Sequence, residues 1–164
     1  MPTASFKSVI LNSMAELLRP VGFRKSGAVF ARAVNDVIHL ISLQSSTSST
    51  ASSVRLTVNV AVWVPTLAEP NQRPDVCSSH WNERIGGLMP QRSDRWWTVT
   101  SEQESQAAAF EIGTAIKQFA LPALAVLETS ATLADLWESG ASPGLTKFQA
   151  HRYLSRLNEN AKIG

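Results

Sequence analysis

The stretch "SVRLTVNVAVWVP" (residues 53–65) constrains this chain more than any other. Val54, Leu56, Val58, Val60, Val62 and Val64 recur at every second position, with Arg55, Thr57, Asn59, Ala61 and Trp63 between them. Side chains alternate across a β-strand, so this segment must bury one unbroken apolar face and offer a mixed one on its back. Pro65 has no amide hydrogen to give a neighbouring strand, and it ends the run. A chain built around such a strand needs further strands beside it and a layer over the valines.

The segment "SGAVFARAVNDVIHLISLQ" supplies two of those strands. Its β-branched runs flank Asn35-Asp36, two residue types that tolerate the left-handed angles of a tight turn, which predicts a hairpin. With those two residues at the turn, Val34 faces Val37, Arg32 faces His39 and Phe30 faces Ile41, all on one side. Val29, Ala31, Ala33, Ile38 and Leu40 lie on the reverse side, small and apolar enough to accept helices. "SSTSSTASS" (45–53) has nothing to bury and reads as an exposed, mobile connection. After the proline-rich "TLAEPNQRPD", residues 82–89 and 95–99 read as two short strands joined by the turn "PQRSD".

Helical periodicity marks both ends of the chain. Phe6, Val9, Ile10, Met14 and Leu17 predict a helix over residues 4–19, capped by Thr3 or Ser5 and ended by Pro20 and Gly22. A second helix begins at the capping box Ser101-x-x-Glu104 and runs to about residue 128, with Pro122 kinking or restarting it. A short helix follows near 132–138. A last one starts at Ser142-Pro143 and reaches about residue 158. Strands grouped in the middle with helices outside them define an α+β fold: an N-terminal helix, an antiparallel meander of four to five strands, then three C-terminal helices packed on one sheet face. The 164 residues contain no repeat and no linker, and one domain over 1–164 is expected.

The stretch "RIGGLMPQRSDRWW" (84–97) raises the functional question, because it gathers Arg84, Trp96 and Trp97 in a chain with only 17% charged residues. Adjacent residues of a strand point to opposite sides, so one tryptophan belongs to the open face and the other to the core. The mixed side of the hairpin, with Arg32 and His39, is expected to continue into Arg55, Asn59 and Trp63, and Arg84 with one of Trp96 and Trp97 would complete it. Guanidinium groups and indole faces suit a carboxylate, a phosphate or a flat ring. The competing reading is a wet sheet face, which collects Arg, Thr and Asn without binding anything.

Other motifs carry less. "CSSH" places Cys77 three residues before His80, a workable spacing for two zinc ligands. With one cysteine and three histidines in the chain, a full ligand set would have to come from afar, so no metal is expected. A thiol–histidine pair there lacks an orienting partner. Gly86-Gly87 matches neither phosphate-cradling glycine pattern and reads as a bulge or a close backbone approach. The last helix carries Lys147, Arg152 and Arg156 and reads as a solvated face over a core seam. The net charge of +2 is spread along the chain, so nucleic acid is not an expected partner. The lone cysteine, the absence of a signal-peptide pattern and the absence of a long apolar run point to the cytoplasm and away from a membrane.

Several of these pieces together carry a resemblance: "PVGFRKSG" with "VFAR" after it, "LISLQSS", "RLTVNVAVWV", "CSSHWNERIGGL", "DRWW" and "FALPAL". Over residues 6–127 the chain resembles a bacterial family known only as a domain of unknown function. The resemblance implies Gly22, Phe23, Phe30, Arg32, Gln44, Asn59, Arg84, Trp96 and Trp97 as pattern positions and attaches no role to them. By analogy of class alone, stress, toxin-neutralising or immunity accessory roles come to mind.

The functional expectation is a cofactor-free binding or accessory domain, recognising a protein partner or a small anionic or aromatic ligand through Arg32, His39, Arg55, Asn59, Trp63, Arg84 and one of Trp96 and Trp97. The alternatives are an enzyme using the same cleft with His39 or His80 as acid/base, and a self-associating homodimer, which would account for the low charge.

Overall fold

The computed structural model describes residues 3–141 and 143–163. Helix α1 spans Thr3–Leu18, and the step into it lies outside the described residues. A 3-10 turn at Arg19–Val21 continues it to Gly22, whose φ of 95° is the left-handed angle that the chain reversal requires. The sheet follows. Its strands are β1 (Arg24–Ser26), β2 (Val29–Val34), β3 (Val37–Ser45), β4 (Val54–Trp63), β5 (Trp81–Arg84) and β6 (Trp97–Val99). All pairings are antiparallel in the order β1-β2-β3-β4-β5, with β6 also on β4. Strands β5 and β6 therefore lie end to end along one edge of β4, opposite residues 59–62 and 54–56 respectively.

The β2–β3 hairpin has the expected register, with Arg32 opposite His39 and Phe30 opposite Ile41, and Asn35 takes a φ of 49° at the turn. The β3–β4 register corrects the expected join of the faces. His39 lies opposite Val62, Ile41 opposite Val60 and Leu43 opposite Val58. The side bearing Phe30, Arg32 and His39 is thus continuous with the valine face, and Val29, Ala31, Ile38 and Leu40 share the other side with Asn59 and Trp63. A shift of one residue in pairing exchanges the two faces, and the Ser/Thr connection holds no side chain that would set it. Bulk points the right way, since the large Phe30, Ile41 and Leu43 belong with the valines.

Helix α1 and helix α3 (Glu102–Ala115) pack on each other and cover the valine face, where Phe6, Ile10, Met14, Ile112 and Ile116 meet Leu56, Val58, Val60 and Val62 in the main core. Ser101 caps α3 by accepting from the Glu104 amide at 3.1 Å, while the Glu104 carboxylate reaches back to the Thr100 amide at 2.6 Å. Past Ala115 the helix widens into a π-turn at Ile116–Ala120 and resumes as α4 (Leu121–Ala125), with Pro122 in its first turn. Widening just before a proline removes the clash of its ring with the preceding turn, so the axis continues without a break.

Helix α5 (Ser130–Glu138) is capped by Thr129 and docked on the hairpin turn, where Asp36 accepts from the Ser130 amide at 2.9 Å and from its hydroxyl. Helix α6 (Lys147–Ile163) starts later than expected. Its cap is the reciprocal pair Thr146 and Gln149, each amide bonded to the other's side chain, and Ser142 lies outside the described residues. A second correction concerns residues 82–89. Strand β5 ends at Arg84, and Ile85–Leu88 form a helical turn, α2, because Gly86 nests against the backbone of residues 93–95. The second short strand begins at Trp97, not at residue 95. No single helix among the described residues is long and apolar enough to cross a membrane.

Candidate functional site

The chain turn between β5 and β6 builds a site on the open side of the sheet. Thr57 pairs with Gln44 of β3, but on its other edge β4 has a gap at Thr57 and Val58 between its contacts with β5 and β6. There Thr57, fully buried, donates its hydroxyl to the Arg95 carbonyl at 2.7 Å. That bond sets the segment entering β6. Trp97 pairs with Leu56 on the covered face and is 6% exposed, so Trp96 emerges on the other. The same parity puts Arg55, opposite Thr98, and Arg84, opposite Asn59, on the side of Trp96.

Arg55 and Arg84 both stack on that one indole, with guanidinium carbons 4.8 and 5.2 Å from its centroid. Cation–π contacts at exposed sites contribute about 0.5–1 kcal/mol each, so the ring holds both cations in place at modest gain. Arg84 also forms a 2.7 Å ion pair with Asp94. The cluster keeps one surplus positive charge. Asn59 borders it, donating to Gln44 at 2.8 Å and toward Ser42 at 3.4 Å. Gln44, Asp94 and Thr98 are members that reading the strands separately did not place at this site, although Gln44 belongs to the family-like pattern. The signal for Thr98 is its parity with Trp96 in a single strand.

The other expected members lie elsewhere. Arg32 and His39 are on the covered face, with His39 fully buried. Arg32 donates to the Val21 carbonyl at 2.9 Å, bonds His39 Nδ1 at 3.0 Å and stacks on Phe23 at 4.6 Å. His39 Nε2 lies 2.8 Å from the Leu127 carbonyl. An arginine can only donate and a carbonyl can only accept, so the neutral ring carries its proton on Nε2. Burial, and next to it the Arg32 charge, hold the His39 pKa below its ordinary value despite the favourable carbonyl. With both nitrogens engaged on the covered side, this histidine ties β3 to the connection between α4 and α5 and cannot exchange protons with a ligand on the open side. Trp63 has the parity of the open side, but Ala68 and Val76 of the 65–80 segment cover it and leave it 1% exposed. Trp97 donates its indole N–H to Glu111 at 2.8 Å, and Glu111 also pairs with Arg95. The indole is a core plug with a polar anchor.

Among the described residues, no group of three or more His, Cys, Asp or Glu side chains could hold a metal ion. In "CSSH", His80 Nδ1 accepts the Val64 amide at 2.9 Å and its ring meets Trp63 and Tyr153 edge-on, while Cys77 is exposed.

Fold and site together define an α+β protein whose antiparallel sheet is covered by helices on one side and displays an arginine–tryptophan cluster on the other. The chain belongs to the DUF4304 family, a domain of unknown function whose profile matches residues 14–126. That span contains the whole sheet and every residue of the cluster; helices α5 and α6 lie beyond it. No curated protein and no solved structure matches the chain.

Proposed function

We propose that this protein is a binding module that recognises a partner protein through the open sheet face, using Arg55, Arg84 and Trp96 to engage a carboxylate beside an apolar or aromatic group. The observation that carries the reading is the stacking of two guanidiniums on a partly exposed indole. Arg and Trp supply most of the energy where protein surfaces meet, because they combine large buried area with directed hydrogen bonds. Here the ring fixes both arginines in advance, which lowers the entropy lost on binding. The surplus positive charge selects an acidic partner, and Asn59 and Gln44 offer hydrogen bonds at the rim.

A thermal-shift panel of acidic peptides, anions and aromatic acids tests this reading on the intact chain and on Arg55→Ala and Trp96→Ala. Ligands that bind only the folded form must raise the melting temperature. Compounds that stabilise the parent and neither variant support the reading. Equal shifts in all three proteins, or a sedimentation result in which Trp96→Ala dissociates a dimer, would replace it with a different site or with self-association.

A further inference from the structure

A second site lies away from the cluster, where helix α6 meets the 65–80 segment. A cavity of about 280 Å³ opens there, lined among others by Cys77, His80, Arg152, Tyr153, Arg156 and Glu69. Arg152 and Arg156 are one helical turn apart and project from the same side of α6, an arrangement that costs energy through like-charge repulsion unless something offsets it. Among the described residues neither arginine forms an ion pair. Arg156 is anchored by donating to the Leu67 carbonyl at 3.1 Å through one Nη, which fixes its guanidinium at the cavity wall.

His80 adds a donor of known sense. Its Nδ1 accepts the Val64 amide, so the neutral ring must carry its proton on Nε2. Burial and the charge of Arg156 push its pKa down to about 4, so the ring is neutral at pH 7. The Tyr153 hydroxyl is a further donor, and Glu69 is the one carboxylate in the wall. The wall is thus rich in donors and carries one net positive charge.

We propose that this cavity binds the carboxylate or phosphoryl group of a small molecule, held by Arg152 and Arg156 with His80 Nε2–H as an orienting donor. Its volume suits a compact metabolite and excludes a folded partner. The site is independent of the Arg55–Trp96–Arg84 cluster. Gln149, Arg152, Tyr153 and Arg156 of its wall come from α6, and Gly144 and Leu145 just precede that helix, all beyond the residues that the family profile matches, so the capacity belongs to this chain and not to the family pattern.

Cys77, the only cysteine, is exposed and lines the cavity, so its alkylation reports on the cavity's occupancy. The test compares alkylation of Cys77 by iodoacetate, an anion, with alkylation by iodoacetamide, its neutral counterpart, at constant ionic strength. The expected result is a rate ratio several-fold above that of N-acetylcysteine, with saturable slowing of both reagents by inorganic phosphate. Arg152→Gln should return the ratio to the free-thiol value and abolish the phosphate effect, with Trp96→Ala leaving both unchanged. A parent ratio equal to that of the free thiol, or no saturable protection by phosphate in the parent protein, would overturn the proposal whether or not the variant folds.

Discussion

Thr57 holds Arg95 by a hydroxyl–carbonyl hydrogen bond in the gap along β4, at Thr57 and Val58, that separates the residues paired to β5 from those paired to β6. The bond does two jobs. It satisfies a buried polar side chain inside a run of valines, and it fixes the parity with which the two tryptophans leave the turn. A valine in place of Thr57 keeps the shape and removes the donor, so the Arg95 carbonyl loses its partner. Thr57→Val should destabilise the protein by about 1–2 kcal/mol in urea unfolding. It should also change the emission of Trp96, because the segment that positions the indole is released.

Gly86 and Gly113 should respond in opposite directions to alanine. A Cβ on Gly86 would overlap the Ser93 carbonyl oxygen and approach the Arg95 amide nitrogen to 2.6 Å, both of them backbone atoms with no rotamer to yield. Gly86→Ala is expected to cost about 1–3 kcal/mol as the 93–95 segment is pushed away. Gly113 lies within α3, and the nearest atom to its added Cβ is Leu17 Cδ2 at 3.9 Å, an ordinary contact. Gly113→Ala should stabilise the protein by about 0.5–1 kcal/mol through helix propensity. Melting temperatures of the two variants, read against the parent, check both signs.

These residues show what a sequence can carry and where it stops. Strict alternation from Val54 to Val64 determines a buried strand face without any tertiary information, and Asn35-Asp36 sets the hairpin register because a two-residue turn leaves one pairing. The join from β3 to β4 has no such code. Its parity is set by packing, and an error of one position moved Arg32 and His39 to the wrong side. Gly86 of "RIGGL" is readable as a close backbone approach, but not as part of a helical turn, since the backbone it approaches lies seven or more residues on, while Gly87 faces the Glu83 side chain. The cavity beneath α6 was hidden for a related reason. "CSSH" and "HRYLSR" are far apart in the chain, and only the docking of α6 brings them together.

The pair of half-buried Arg32 and buried His39 makes a prediction about titration. Arg32→Met keeps the aliphatic stem and removes the charge. Burial is the largest cause of the lowered His39 pKa, and the arginine charge also lowers it. In the variant, the His39 ring signal followed by NMR should titrate at higher pH than in the parent, yet still below the ordinary value, because burial persists. An unchanged titration would mean that the arginine is screened from the ring.

The pH dependence of stability should be carried chiefly by His80. Its pKa is pushed down to about 4 from 6.5, so between those values the unfolded chain binds a proton that the folded protein excludes. Stability from this group is complete above the unfolded value and is lost as pH falls toward 4. His39, also lowered, acts in the same direction. Glu83 acts in the opposite one, because burial raises its pKa and its contribution is lost as pH rises through the folded value. The lowering of His80 from 6.5 to about 4 corresponds to about 3 kcal/mol as an upper bound. Urea unfolding near pH 7 and near pH 4.5 should therefore show a parent protein weakened by about 2 kcal/mol at the lower pH. His80→Gln preserves an acceptor for the Val64 amide and removes the titrating ring. It should be weaker than the parent near neutrality and lose distinctly less on acidification, and a loss equal to the parent's would assign the acid sensitivity to other groups.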